Sequence, residues 1–252
     1  MRLVIIRQYL LLIISFFVLL TIFLSKPKIV SASTNYVWHK SSGIDSYSQD
    51  IRVSPIDPNI IFATIRNSSG SGLFKSTNAG VSFNLVLPFS IERDVNSIAL
   101  SPNDAQKLWI GTYEQGVFKS INGGSTWDTT SGILPKKTRY LTVDPTNENI
   151  LFAGTGDNNS NGGVYKSIDK GNNWNLVGAS TYGYKNNLNI YIDTHDHNIV
   201  YAGSDFGLFR TTDGGENWEN IFSNNTYPPA TLVSLTTGST IYTSVPNQGI
   251  YK

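Results

Sequence analysis

The chain has 252 residues, 40% hydrophobic and 15% charged, with a formal net charge of +1 and no cysteine. That composition suits a globular body and excludes a disordered chain. It also rules out disulfides, thiolate metal sites and cysteine nucleophiles.

The first element is a leader. Arg2 and Arg7 precede an apolar run from Tyr9 to Leu24, and Val30-Ser31-Ala32 places small residues at cleavage spacing. Residues 1–32 read as a secretory signal peptide or an uncleaved signal anchor, and either exports the remainder, to be secreted or held at the cell envelope. The leader holds four of the 19 Lys and Arg and none of the 18 acids. Residues 33–252 therefore carry 15 basic against 18 acidic residues, a net charge of −3. Such a body has no electrostatic footprint for nucleic acid, and membrane contact is expected only through an uncleaved leader.

Residues 33–252 are repetitive. "LFKSTNAGVSF", "VFKSINGGSTW", "VYKSIDKGNNW" and "LFRTTDGGENW" align without gaps, with Phe74, Phe118, Tyr165 and Phe209 spaced 44, 47 and 44 apart. A fifth start, Ile250-Tyr251-Lys252, follows 42 residues later. Each repeat predicts four short strands, here called a to d. Strand a is "DIRV", "SIAL", "YLTV", "NIYI" or "TLVSL". Strand b is "IIFAT", "KLWIGT", "ILFAGT", "IVYAGS" or "TIYTS". Strand c is the "LFKS" element, and strand d starts near the closing Phe or Trp. Four strands every ~45 residues, with Gly and Asx turns, predict an all-β propeller of four-stranded antiparallel blades.

The N-terminus extends the register. Trp38 lies 45 residues before Phe83, and Trp38, Ser42-Gly43-Ile44 match Trp127, Ser131-Gly132-Ile133. The mature chain then begins with a lone strand d and ends on strands a–b–c, which together would close a five-bladed ring. The alternative is a fragment of a larger propeller.

The motif Ser/Thr-x-Asx-x-Gly-x-x-Trp/Phe occurs four times. Its first two copies are Ser76, Asn78, Gly80 and Phe83, then Ser120, Asn122, Gly124 and Trp127. The other two are Ser167, Asp169, Gly171 and Trp174, then Thr211, Asp213, Gly215 and Trp218. The motif resembles the Asp-box, or BNR, repeat. That resemblance implies blades of the kind seen in sialidases, xyloglucan-cleaving glycoside hydrolases, sortilin-type receptors and photosystem II assembly factors, and leaves the function open. Because two copies carry Asn, a carboxylate is not their common requirement; the boxes are expected to be folding staples, not metal or catalytic sites.

Loop lengths separate two faces. From the strand-c aromatic to the closing aromatic is nine residues in each complete copy. From Pro55, Pro102, Pro145 and Thr194 to the strand-b aromatics Phe62, Trp109, Phe152 and Tyr201 is always seven. The b-to-c aromatic spacing instead runs 12, 9, 13, 8 and 9. The face of b–c and d–a loops is thus the expected binding face. Its candidate binding residues are Arg66, Arg93, Tyr113, Arg139, Tyr140, Tyr182, Tyr184 and Phe206, suited to a protein or glycan partner.

A glycosidase would need two carboxylates roughly 5–9.5 Å apart, for which Asp45, Asp50, Asp94, Glu114, Asp157 and Asp205 are the candidates. Neither a sialidase-type Arg-Ile-Pro motif nor a tyrosine–glutamate nucleophile pair is identified in the sequence. The leading reading is a non-enzymatic binding propeller, with a xyloglucanase- or sialidase-type hydrolase as alternative. A second alternative is an assembly factor of the photosystem II type, docking a client on Lys136, Lys137 and Arg139. No cofactor or metal is expected. Asp157–Gly162 opens like a calcium loop but has Ile168 at its twelfth position, and "DTHDHN" (Asp193–Asn198) reads as a solvated turn.

Overall fold

The computed structural model describes residues 40–43, 47–66, 71–89, 95–129, 137–156, 162–178, 189–204, 207–222, 232–235, 240–245 and 249–252. Residues 1–32 and Trp38 lie outside these residues, so the expected closing strand is a proposal. The unit Ser41–Lys252 is compact and, among the described residues, built of strands alone.

Blade 1 comprises β1 (Tyr47–Val53), β2 (Ile61–Arg66), β3 (Ser71–Ser76) and β4 (Asn84–Phe89). Blade 2 comprises β5 (Val95–Leu100), β6 (Leu108–Thr112), β7 (Gly116–Ser120) and β8 (Asp128–Thr129). Blade 3 holds β9 (Thr138–Val143), β10 (Leu151–Thr155), β11 (Gly163–Ser167) and β12 (Asn175–Gly178). Blade 4 holds β13 (Asn189–Ile192), β14 (Val200–Ser204), β15 (Gly207–Thr211) and β16 (Glu219–Phe222). A fifth sheet is formed by β17 (Leu232–Leu235), β18 (Ile241–Val245) and β19 (Gly249–Tyr251). Every sheet pairs its strands in chain order, a next to b, b next to c and, in the first four, c next to d. The predicted meander of the propeller is what forms.

The core lies at the seams between blades. Phe62 and Leu73 of blade 1 pack with Ile98, Leu108 and Ile110 of blade 2 and with the ring of Trp127. Trp109 and Val117 of blade 2 pack with Leu151, Tyr165 and Trp174 of blade 3. Phe152 and Val164 of blade 3 pack with Ile190, Val200, Phe209 and Trp218 of blade 4. Strands β6, β10 and β14 are buried along their whole length. A strand covered on both faces reads as a continuous apolar run, which is how strand b appears in the sequence.

The box is a closed hydrogen-bonded turn. In each copy the Ser/Thr hydroxyl donates to the Asx Oδ1 (2.7–3.0 Å) and accepts the N–H of the box glycine, Gly80, Gly124, Gly171 or Gly215, at 2.9 Å. The same Oδ1 accepts the N–H four residues on. The indoles of Trp127, Trp174 and Trp218 donate back to the carbonyls of Gly124, Gly171 and Gly215 at 2.9, 3.0 and 3.1 Å. All four glycines sit at positive φ: 84° at Gly80, 91° at Gly124, 79° at Gly171 and 105° at Gly215. The boxes are turns that the backbone and the hydroxyl close together.

A second pairing co-varies with Asn or Asp. Asn78 and Asn122 donate Nδ2–H to the hydroxyls of Ser82 and Thr126, at 2.9 and 2.8 Å. Asp169 and Asp213 instead accept from the side-chain amides of Asn173 and Asn217, at 2.7 and 2.8 Å. The partner changes from acceptor to donor as the box residue does the reverse. Asp169→Asn is expected to cost about 1 kcal/mol, since it sets amide against amide, and adding Asn173→Ser should recover most of it. Urea midpoints of the two variants check this; a double variant weaker than the single would refute the pairing.

Candidate functional site

The a–b turns and the boxes share one face, here the turn face. In the a–b turn of each of the first four blades a Ser Oγ or Asp Oδ1, from Ser54, Ser101, Asp144 or Asp193, accepts the N–H groups two and three residues on. The residue before each box glycine donates its N–H to the a–b turn of its own blade: Ala79 to Asn59, Gly123 to Gln106, Lys170 to Asn149 and Gly214 to Asn198. In blades 2 to 4 its carbonyl serves the preceding blade. Lys75 Nζ reaches Gly123 O (3.2 Å), Trp109 Nε1 reaches Lys170 O (2.8 Å) and Lys166 Nζ reaches Gly214 O (2.7 Å). Lys75 and Lys166 cross the rings of Phe62 and Phe152 on the way.

Charge on this face is also spent between blades. Glu148 accepts from Ser101 Oγ (2.7 Å) and from Lys107 and Lys170 Nζ (3.1 and 2.7 Å), joining blades 2 and 3. The Lys170 hydrogen bond is the strongest pull on its carboxyl; burial opposes it, but Ser101 and Lys107 add to it and take the pKa down to about 2. His197 lies 2.9 Å from Asp144, linking blades 4 and 3, and His195 stands beside Asp193. Thus the "DTHDHN" cluster is a turn and a seam contact. Among the described residues no group of three His, Asp or Glu is placed to hold a metal ion.

Asp50, a candidate acid, belongs to a seam as well. Counted back from Ile51, which lies opposite Ala63, Asp50 occupies in β1 the position of Ser97 in β5 and Tyr140 in β9. Its Oδ2 accepts the N–H of Ile98 at 2.8 Å, as Ser97 Oγ accepts that of Leu141 at 3.1 Å. Arg52 covers the same carboxylate at 3.1 Å and reaches Tyr140 Oη at 3.4 Å. Asp50 therefore holds strand a of the next blade. It looked like a loop-face acid because nothing in the sequence shows which backbone N–H lies opposite it.

The opposite, loop face carries Tyr113, Glu114 and Gln115 at the β6–β7 turn, with Glu114 exposed. Thr112 Oγ1 stiffens that turn, accepting from Gln115 N–H (3.1 Å) and donating to Gly116 O (2.9 Å). Across the seam, Lys137 Nζ and the Arg139 guanidinium lie 5.1 and 5.6 Å from the Tyr113 ring centre. Arg139 Nε donates to Gly156 O, and Gly156 N–H to Lys137 O, both at 3.2 Å. The structure thus brings together Tyr113 and Arg139, with Tyr140 turned toward Arg52. Arg66 ends β2 opposite Tyr47. Asp45, Arg93, Asp94, Asp157, Tyr182, Tyr184, Asp205 and Phe206 lie outside the described residues.

No family model matches the chain. A xyloglucanase of Acetivibrio thermocellus is 23% identical over 74% of the chain and 26% of its own length. Among solved structures, an ancestral GH74 enzyme is 25% identical with a TM-score of 0.60, covering 74% of this chain and 25% of that one. The structure of YCF48 bound to D1 peptide is 16% identical with a TM-score of 0.55, covering 86% of this chain and 72% of that one, a likeness of fold. The chain spans about a quarter of the length of the Acetivibrio xyloglucanase and of the ancestral GH74 enzyme. It is a β-propeller of four-stranded antiparallel blades, distantly related in sequence to the xyloglucanases.

Proposed function

We propose that the chain is an exported propeller whose loop face binds a glycan or protein partner without cleaving it. One observation carries this reading. The turn-face hydroxyls and carboxylates described above and Asp50 are committed to turns and seams, whereas Tyr113, Lys137 and Arg139 gather at one seam of the loop face, where Tyr113 is followed by the exposed Glu114. An aromatic flanked by polar groups on loops of unequal length is what a recognition surface needs. Export rests on the leader, residues 1–32.

Titration of the purified chain with xyloglucan oligosaccharides, followed by NMR, tests the face. Binding weakened by Tyr113→Ala but not by Lys75→Gln on the turn face supports the proposal; the reverse pattern overturns it. Sequence relatedness to xyloglucanases favours hydrolysis as a second reading. Release of reducing ends from xyloglucan, abolished by Ala at one of Asp45, Asp94, Glu114, Asp157 or Asp205, would establish it in place of the first.

A further inference from the structure

The position that joins strand a to the next blade is used differently in blade 3. In β5 the register slips by one residue between Val95 and Ser97, making Asn96 the extra residue, and its Nδ2–H donates to Thr138 O of blade 3 at 3.0 Å. The same slip recurs in β9, where Tyr140 pairs with Gly154 and Thr138 with Thr155. The extra residue there is Arg139. A bulge removes its residue from the ladder and re-aims the side chain, a device frequent beside binding sites. In place of Asn96's short amide, blade 3 therefore carries a long planar cation that turns to Tyr113 of blade 2 and to Gly156 of its own blade.

We propose that this seam is a carboxylate site, and that its ligand is an acidic glycan bearing uronate residues; the proposal rests on the loop face being the working face. Arg139 has no acidic partner among the described residues, and its Nε is already tied to Gly156 O. That bond orients the fork that pairs with a planar carboxylate. Lys137 stands beside the same ring and adds a second positive charge, its backbone held by Gly156. Both cations are held against a tyrosine on a turn locked by Thr112, so little side-chain freedom is lost on binding. A uronate residue carries its carboxylate on a rigid pyranose, close to hydroxyls within reach of a phenol. An acidic peptide presents the same charge on a flexible chain and must order more bonds to deliver it.

The test is isothermal titration of the full chain with trigalacturonate, a neutral xyloglucan oligosaccharide and a glutamate-rich peptide at two salt concentrations. Trigalacturonate is expected to bind, to weaken with salt, and to lose about tenfold or more in affinity with Arg139→Gln, with Arg139→Lys in between. Lys137→Gln should weaken it separately, and melting curves show whether each variant folds. Equal binding of the neutral oligosaccharide, or unchanged affinity in folded Arg139→Gln and Lys137→Gln, overturns the carboxylate assignment. If the neutral sugar alone binds and Tyr113→Ala abolishes it, the carboxylate inference falls while the loop-face reading stands. Preference for the acidic peptide overturns the glycan assignment. No binding of any probe overturns the glycan assignment and leaves the loop-face reading without a glycan ligand.

Discussion

Trp109→Ala is expected to destabilise the protein by about 3–5 kcal/mol, the range for emptying a fully buried tryptophan site. Trp109 has no solvent exposure. Its ring lies at the blade 2–blade 3 seam with Leu151, Tyr165 and Trp174, and its indole N–H supplies the bond to Lys170 O that lysines supply at the flanking seams. The space beside it cannot close easily, because Gly171 already stands against the indole: a Cβ there would lie 3.0 Å from Nε1. Trp109→Phe should lose the bond and part of the volume, costing about 1–3 kcal/mol. Urea denaturation followed by circular dichroism measures both. A Trp109→Ala loss under about 1 kcal/mol would mean that the seam is not where stability resides.

Glu148→Gln is expected to cost about 1–2 kcal/mol at neutral pH and to flatten the acid limb of the stability curve. The buried carboxylate holds Ser101 and two lysines, but Lys107 and Lys170 are 27% and 40% exposed and can turn to water, which limits the loss. The sign follows from a depressed pKa. The folded carboxyl titrates at about 2 against an ordinary 4.5, so its stabilisation is present above 4.5 and is lost as pH falls toward 2. The gap between wild type and Glu148→Gln should therefore narrow through that window. A gap that stays constant from pH 7 to pH 2 would remove Glu148 from the acid response.

Much of this was legible beforehand. The repeat near 45 residues, the glycine at positive φ and the closing aromatic are local demands of a turn, so they recur in the sequence as well as in the structure. The Asn/Asp co-variation is legible too: the residue four after each Asx is Ser or Thr in two copies and Asn in the other two. The seams were not. Lys75, Trp109 and Lys166 perform one task from two different repeat positions, and Asp50 performs the task of Ser97 with a different group. Nothing along one blade shows what the next blade offers.

By itself, the sequence determined the strands, their order within a blade, the box turn and the division into a uniform and a variable face, because all of these depend on residues a few positions apart. Tertiary structure alone decided which polar groups are consumed between blades and which meet at the loop face. Asp50 and Arg139 illustrate this: both lie early in a strand a, yet one is capped by the backbone of the following blade and the other turns to a tyrosine of the preceding one. The difference lies in contacts across seams between residues 48 and 26 positions apart in the chain, where the alternation within a strand carries no information.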